Sequence, residues 1–209
     1  MLAGVAGDGL ASCRCGSVML VVSAVMQIGW GDESGSIPSA DPGSYIMAIA
    51  VLEDKEYPLV CRRMMDVILP HEKKVHWHGR DRSQRMQLCE LVSNLPLMSI
   101  VVVHHQVGAR ERRHRRKCLE SLFPLAAGLG CANIVLESRG GQDASDFDTL
   151  QTLRAQKVVT GDLRLDHRPG RDEPALWVAD IVCGAVVQSR VGHGEFLEKL
   201  APAVDIYHV

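Results

Sequence analysis

Short apolar runs alternate with polar turns along the chain, and this pattern predicts five strands. The first run covers residues 26–30 and stops at Asp32 and Glu33, which precede a Ser-Gly turn. A run of four to eight apolar residues closed by Gly and Ser is typical of a buried strand. By the same pattern, further strands are predicted over 45–52, 97–105, 132–136 and 158–166.

Apolar residues at helical spacing fill the intervals between these strands. Residues 57–69 have the period of an amphipathic helix, which Pro70 ends. Asp81 or Ser83 is positioned to cap a second helix. Later helices are predicted over 110–128, through 150–153 and over 174–187. Strands alternating with helices predict an α/β fold.

Three carboxylates stand at unusual places in this pattern. Asp32 ends the first predicted strand, Glu137 follows the fourth, and Asp180 lies on or beside the core-facing stripe of the last helix. A carboxylate at the end of a buried strand sits where open α/β sheets bind their ligands. An unpaired buried carboxylate loses several kcal/mol to desolvation, so Asp180 must be protonated, paired or bound to a cation.

Each of these residues also has a purely structural interpretation. Asp32 and Glu33 taken alone are typical of a solvated turn, and a salt bridge to Arg139 or Arg164 would account for Asp180. The coincidence of three such carboxylates, far apart in the chain, favours a functional site.

Composition sets the limits for this hypothesis. The chain has 209 residues, of which 46% are apolar, and a formal charge of only −2, which predicts one domain with its own core and excludes a histone-like binder. Seven cysteines without a repeated short spacing indicate small core residues in a reducing compartment, so no disulfides are expected. Cys13 and Cys15 lack a second pair to complete a zinc site.

The first 25 residues are expected to be a loose extension of a domain that covers 26–209. The apolar stretch 18–26 is not preceded by the basic N-terminal region of a signal peptide, and it is too short to span a bilayer. A cytoplasmic protein is therefore expected. One hypothesis is that the extension lies upstream of the true start codon, at Met26.

Two carboxylates that end neighbouring strands and a third from a packed helix would form an oxygen-only site. Such ligands suit Mg²⁺ or Mn²⁺, which are held by few carboxylates together with substrate phosphates. Two ions about 4 Å apart activate a water and stabilise the leaving oxygen in phosphodiester cleavage. Arg110, Arg113 and Arg116 have the spacing to follow a phosphate backbone, although such a charge run is also typical of a solvated helix face.

Five segments together resemble a known bacterial family. They are the DESG strand end, the apolar second strand, Lys74-Val-His-Trp-His78, the VLESR strand end and the EPALWVADIVCGAV helix. In this order they are similar to the uncharacterised domain-of-unknown-function-3800 family, which resembles the ribonuclease H-like superfamily. The resemblance covers about residues 26–190.

This resemblance implies a mixed central sheet flanked by helices, with Asp32, Glu137 and Asp180 at the acidic positions of the superfamily. It implies a metal-dependent nuclease that takes Mg²⁺ or Mn²⁺ and binds RNA or DNA. The helices and the His/Trp loop between the second and third strands are an insertion, expected to add a basic and aromatic wall beside the acidic site. The candidate residues around the three carboxylates are Glu33 and Asp166 in a supporting shell, and His76, Trp77, His78, Arg110, Arg113 and Arg139 on the substrate.

Two other functions stay open at the level of sequence. One is a non-catalytic module that binds nucleic acid or a protein partner and keeps the fold. The other is a zinc site formed by His76, His78 and either His104 or His105, for which no fourth ligand stands out. His76 and His78 are equally compatible with polar residues on a surface loop.

Overall fold

A computed structural model describes residues 26–70 and 72–209, and within them a six-stranded sheet forms the centre of the molecule. The segment 1–25, and with it Cys13 and Cys15, lies outside the described residues. The strands are β1 (Gln27–Gly35), β2 (Ser44–Glu53), β3 (Met98–His105), β4 (Cys131–Glu137), β5 (Arg164–Arg168) and β6 (Val204–His208). Their order in the sheet is β5-β4-β1-β2-β3-β6.

The sheet is mixed. β2 pairs antiparallel with both β1 and β3, whereas β4 is parallel to β1 and to β5, and β6 is parallel to β3. Because β1, β4 and β5 run in one direction, their carboxyl ends meet at the same edge of the sheet. The crevice outside such ends is where open α/β sheets hold their ligands.

Helices cover both faces of the sheet. Four lie on one face: α1 (Tyr57–Met65), α2 (Arg82–Ser93), α5 (Leu176–Arg190) and α6 (Glu195–Leu200). The other face is covered by α3 (Glu111–Gly128) and α4 (Asp143–Ala155). Two hydrophobic cores therefore exist, one on each side of the sheet.

The central strand β2 supplies side chains to both cores in turn. Ile46 and Ala48 face the α5 side, while Met47 and Ile49 face the α3 side. Successive side chains of a strand point to opposite faces, so a strand buried on both sides is apolar throughout, as the sequence of β2 is. The predicted second strand is thus confirmed.

Local signals place most of the helices where the sequence predicts them. Asp81 caps α2 through a capping box: the Gln84 amide donates to Asp81 Oδ1 at 2.9 Å, and the Asp81 amide donates to Gln84 Oε1 at 3.0 Å. The helix predicted over 57–69 was too long, because α1 ends at Met65. The two helices of the predicted insertion, α1 and α2, do lie between β2 and β3.

Two strand predictions need correction, and two elements were not predicted. β1 continues through Asp32 and Glu33 to Gly35, because β2 pairs with it over this whole length, so these carboxylates do not open a turn. β5 begins at Arg164, later than predicted, while Val159 and Leu163 bury their side chains in the loop before it. α6 and β6 were not predicted, and β6 adds the sixth strand to the five expected.

The five cysteines in the described part of the chain are all free thiols, as expected. None of the helices described is both long enough and apolar enough to cross a bilayer.

Candidate functional site

Asp32 and Glu137 lie side by side at the edge where β1 and β4 separate. The last paired position of the two parallel strands is Gly31 with Leu136, and each carboxylate is the next residue in its strand. Side-chain alternation puts both on the α5 face, since Trp30 and Val135, two residues earlier, belong to the core on that side. Asp32 is buried, with 9% of its surface exposed.

Lys74, in the loop between α1 and α2, neutralises Glu137. Its Nζ atom donates to Glu137 Oε1 at 2.7 Å and to Oε2 at 2.8 Å. Gly170 lies against the same carboxylate, and a Cβ atom at that position would overlap it. The backbone of the loop before α5 therefore approaches Glu137 as closely as only glycine allows.

Asp180 reaches the site from α5. Its Oδ2 atom accepts a hydrogen bond of 3.0 Å from the backbone amide of Trp77, and the Nδ1 atom of His76 lies 3.8 Å from the same oxygen. Neither Arg139 nor Arg164 pairs with it, so the salt bridge considered from the sequence does not form. Asp180 is thus held by the loop that also carries Lys74.

The three carboxylates, called here the acidic cluster, are close enough to influence one another. Burial raises the pKa of Asp32 well above its ordinary value, and the negative charges of Glu33, Glu137 and Asp180 raise it further. Burial likewise raises the pKa of Asp180, against the opposing effect of the Trp77 amide. The cluster therefore holds more negative charge than Lys74 alone offsets.

The ligand geometry of a metal site is not formed with these side-chain positions. Among residues 26–70 and 72–209, no three His, Cys, Asp or Glu side chains are grouped as ligands of one ion. Lys74 occupies both oxygens of Glu137. The donor set itself fits a hard cation, since it consists of carboxylate oxygens at a buried position short of positive charge.

Two open cavities adjoin the acidic cluster. One, of about 410 Å³, is lined by Asp32, Glu33, Lys74, Glu137, Ser138, Arg139 and Gln142. The other, of about 370 Å³, shares Lys74, Glu137 and Ser138 with it and is also lined by Glu72, Lys73, His76, Pro169, Gly170 and Arg171. A ligand in either cavity would meet carboxylates on one side and basic groups on the other.

Glu33 points to the opposite face of the sheet from Asp32 and belongs to a second charged group. Arg115 Nη1 lies 2.5 Å from Glu33 Oε2, and its Nη2 atom lies 2.7 Å from Asp146 Oδ2. His167 Nε2 lies 2.9 Å from Asp146 Oδ2. These four residues, called here the arginine cluster, are buried, and hydrogen bonds from His167 and Arg115 hold the pKa of Asp146 below its ordinary value despite burial.

The aromatic wall predicted beside the acidic cluster is absent from the described residues that line the two cavities, because Trp77 is buried. Only 4% of Trp77 is exposed, and its ring packs against Gly184, where a Cβ atom would overlap it. Phe196 meets it edge-on with 5.3 Å between ring centroids, and the Arg85 guanidinium lies 5.1 Å from its centre. A loop tryptophan with these neighbours is part of the core. Three basic residues of the insertion, Lys73, Lys74 and His76, line a cavity beside the acidic cluster, and Arg171 joins them from the loop before α5; this group is called here the basic wall.

The other candidate residues lie in several places. His76 and His78 are exposed on the loop, and His76 lines a cavity of the acidic cluster. Arg139 contacts Glu33 at 3.0 Å, and also Glu111, at the border of the site. Asp166 pairs with Arg168 at 3.3 Å on β5, outside both cavities. Arg110 and Arg113 lie on the α3 side of the sheet, away from the acidic cluster.

The histidines do not form the zinc site considered from the sequence. His104 is buried on the α3 side, where its Nδ1 atom lies 2.7 Å from Nδ1 of His114. Burial lowers the pKa of both rings. The sheet separates His104 from His76, which lies on the other side next to Asp180. His105 is on the side of His76, but its Nδ1 atom lies 2.9 Å from Ser44 Oγ, and no three such side chains of the described residues are grouped as ligands of one ion.

Sequence reasoning assigned no role to Lys74, Arg115, Asp146 or His167. For Arg115 a signal was present, because it lies three, four and seven residues before Cys118, Leu119 and Leu122 and so shares their buried stripe. Its partners lie on other elements, and nothing local in the sequence indicates them. The same holds for the contact of Lys74 with Glu137.

Comparison with known proteins identifies the fold. No protein-family model and no curated protein matches the chain. The ribonuclease HII of Archaeoglobus fulgidus, solved in complex with PCNA, matches with a TM-score of 0.55 at 13% identity, over 83% of this chain and 77% of that one. The ribonuclease H2 from Pyrococcus horikoshii OT3 matches with a TM-score of 0.44 at 15% identity, over 85% of this chain and 76% of that one. Bst-RNase HIII in complex with Mn²⁺ matches with a TM-score of 0.44 at 11% identity, over 86% of this chain and 55% of that one.

The chain therefore has a ribonuclease H-like fold, as the resemblance implied, with a six-stranded sheet in place of the expected five.

Proposed function

We propose that this protein is a nuclease that hydrolyses phosphodiester bonds with one or two Mg²⁺ or Mn²⁺ ions held by Asp32, Glu137 and Asp180. The observation that carries the proposal is the acidic cluster: two carboxylates at the point where the parallel strands β1 and β4 separate, and a third on the helix packed over them. The ribonuclease H-like fold supports it as an analogy. Membership of the domain-of-unknown-function-3800 family, and a single domain over 26–209, are parts of the same proposal.

The residues of the site divide the work between them. Asp32 and Asp180, whose pKa values are raised by burial, offer oxygen ligands in a position where negative charge is unfavourable without a cation. When bound, such an ion supplies a Lewis acid for phosphodiester hydrolysis. Lys74 serves as the counter-charge of Glu137 while no ion is bound. Once Glu137 is a ligand of an ion, the Lys74 ammonium group is free to contact a substrate phosphate.

The basic wall orients the substrate in this proposal. Lys73, His76 and Arg171 line the cavity beside Glu137 and face the space that a phosphate group would occupy. Arg139 lines the neighbouring cavity over Asp32, and His78, exposed on the same loop as His76, is proposed to contact the substrate as well. Trp77 acts indirectly, since its backbone amide fixes the Asp180 carboxylate while its ring is buried.

Calorimetric titration of Mn²⁺ into the wild type and into Asp180→Asn tests the proposal. The amide keeps an acceptor for the Trp77 N–H but removes the charge, so we expect metal binding to be lost and the metal-free variant to melt at a higher temperature. Asp205→Asn, an exposed change on β6 at the far edge of the sheet, is the matched control and should change neither.

The same proteins should be assayed with labelled RNA and DNA oligonucleotides in Mn²⁺. Cleavage by the wild type and by Asp205→Asn, but not by Asp180→Asn, is the expected result. A wild type that binds no Mn²⁺ and cleaves neither nucleic acid contradicts the proposal, and binding of the intact oligonucleotides in that case would identify a non-catalytic module.

A further inference from the structure

A groove between α3 and α4 lies outside the acidic cluster, on the other face of the sheet. Its volume is about 600 Å³, which is within the range of about 300–1,000 Å³ typical of ligand sites. One wall belongs to α3 and the residue before it, and carries Arg110, Arg112, Arg113, Arg115, Arg116 and Glu120. The other belongs to α4 and its approach, and carries Gly141, Gln142, Ser145, Asp146, Asp148, Thr149, Thr152, Leu153 and Gln156.

Positive charge is in excess in this groove. No carboxylate in the described part of the chain lies within ion-pair distance of Arg110, Arg112 or Arg113, all three of which are exposed. Asp146 does not oppose an anion, because Arg115 and His167 already satisfy it. Glu120 is shared between Arg116 and Lys117, which leaves Asp148 as the exposed acidic group of the lining.

The chemistry of the two walls suits phosphate groups. The guanidinium group of arginine is planar, and its N–H donors match the oxygens of a phosphate. Several guanidinium groups lie along α3 in this groove. The facing wall offers the side-chain amide of Gln142 and the hydroxyl of Ser145. The arginines follow one helix in sequence, so they offer a row of donors of the kind that the phosphates of one nucleic-acid strand would meet.

The groove adjoins the cavity over Asp32 through one shared lining residue. Gln142 lines both the groove and the cavity over Asp32, and Arg139 stands beside it in that cavity. A strand leaving the acidic cluster at this edge of the sheet would pass Arg139 and Gln142 and reach the arginines of α3.

We infer that the α3–α4 groove binds the phosphate backbone of a single nucleic-acid strand whose reacting bond lies at the acidic cluster. The inference rests on the proposed function for the position of the reacting bond, but the binding itself needs no metal. Arg110, Arg112 and Arg113 hold the strand, and Arg139 and Gln142 lead it from one site to the other.

Fluorescence anisotropy with a labelled 12-nucleotide oligothymidylate, in EDTA, tests the inference on the full chain. Arg112→Gln/Arg113→Gln should weaken binding about tenfold. It should also reduce the slope of log K against log salt concentration by about 1.4, since each phosphate contact on a single strand contributes about 0.7 to that slope. The matched control is Arg62→Gln/Arg63→Gln, an adjacent exposed pair on α1 that lines neither the groove nor the cavities. Equal binding by the two double variants overturns the inference.

Two further experiments identify the ligand and distinguish this inference from the proposed function. Tripolyphosphate should compete only at concentrations far above that of the oligonucleotide, and competition at equal concentration would show a site for a small anion instead. Asp180→Asn should bind the oligonucleotide in EDTA as tightly as the wild type does. Arg112→Gln/Arg113→Gln should bind Mn²⁺ with the same affinity as the wild type in calorimetric titration. Loss of Mn²⁺ binding in the arginine variant contradicts two independent sites, whereas failure of the wild type to bind Mn²⁺ leaves the groove result standing.

Discussion

Asp32 and Glu33 are neighbours in β1, yet their side chains enter two different electrostatic surroundings on the two faces of the sheet. Glu33 meets Arg115 and Arg139, and Asp146 beside it meets Arg115 and His167. Asp32 faces Glu137 and Asp180, and Lys74 is the one cation in ion-pair contact with Glu137 among the described residues. The arginine cluster is balanced by the protein itself, whereas the acidic cluster is short of positive charge. Unbalanced charge, more than burial, distinguishes a candidate site.

The largest expected loss of stability comes from a substitution in the arginine cluster. Arg115→Met leaves Glu33 and Asp146 buried without their shared partner, so we expect the free energy of unfolding to fall by about 3–5 kcal/mol. Urea unfolding measures it. Arg116→Gln, which removes an exposed arginine one position away and a 3.6 Å pair with Glu120, should cost about 0.5 kcal/mol or less. Similar losses for the two variants would show that the arginine cluster is not a structural unit.

Neutralising one aspartate on each face should change stability in opposite directions. At pH 7, Asp146→Asn removes charge-assisted hydrogen bonds and should destabilise the protein by about 1–3 kcal/mol. Asp32→Asn removes a charge that burial and the neighbouring carboxylates disfavour, so it should stabilise the metal-free protein. Chemical denaturation of both variants in EDTA decides the comparison. A destabilised Asp32→Asn would mean that the acidic cluster is internally compensated after all.

The pH dependence of stability should separate the two aspartates further. The pKa of Asp32 is raised above the ordinary 3.8, so its contribution is present below that pH and is lost as the pH rises through the raised pKa. The pKa of Asp146 is lowered, so its contribution is present above 3.8 and is lost as the pH falls through the lowered pKa.

Unfolding of the wild type and both variants at a series of pH values measures these windows. The advantage of Asp32→Asn over the wild type should shrink as the pH falls toward 4, whereas the defect of Asp146→Asn should persist down to the same pH. An advantage of Asp32→Asn that does not change between pH 4 and 7 would contradict the raised pKa.

The smallest effect is expected from Lys74, the cation that pairs with Glu137 in the acidic cluster. Lys74 and Glu137 are partly open to solvent, with 16% and 23% of their side chains exposed, so Lys74→Met should cost about 1 kcal/mol or less in EDTA. The same change should tighten Mn²⁺ binding, because it removes the group that occupies the Glu137 oxygens. Lys73→Met, an exposed neighbour, is the control. Weaker Mn²⁺ binding by Lys74→Met than by the control would show that Lys74 does not compete with the ion.

Features that a short stretch of sequence determines were predictable. The continuous apolar run of β2 gave a strand buried on both faces, and Asp81 with Gln84 gave the start of α2. The order of strands and helices from β1 to α5 follows from the same local periods. The end of β1 was misplaced because Asp32 and Glu33 are typical turn residues, and the pairing with β2 that keeps them in the strand is not local.

Features that depend on contacts across the chain were not predictable. Trp77 looks like a loop aromatic in the sequence, and its burial requires Gly184 and Phe196, more than one hundred residues later. β6 has five residues, half-buried or exposed, and so lacks the apolar run of a central strand. The pairing of Arg115 with Asp146 joins two helices, and the pairing of Lys74 with Glu137 joins a loop to a strand end.

The packing of Trp77 on Gly184 has a consequence for the entropy of the site. The loop between α1 and α2 is irregular, and a free loop would have to be ordered each time a ligand bound, at a cost in affinity. Here the indole ring anchors the loop to α5 one helical turn beyond Asp180, and the Trp77 amide joins the two again at the carboxylate. Lys74, His76 and Asp180 are therefore carried by a loop and a helix that are tied together at two points, so less of the loop has to be ordered when a ligand binds.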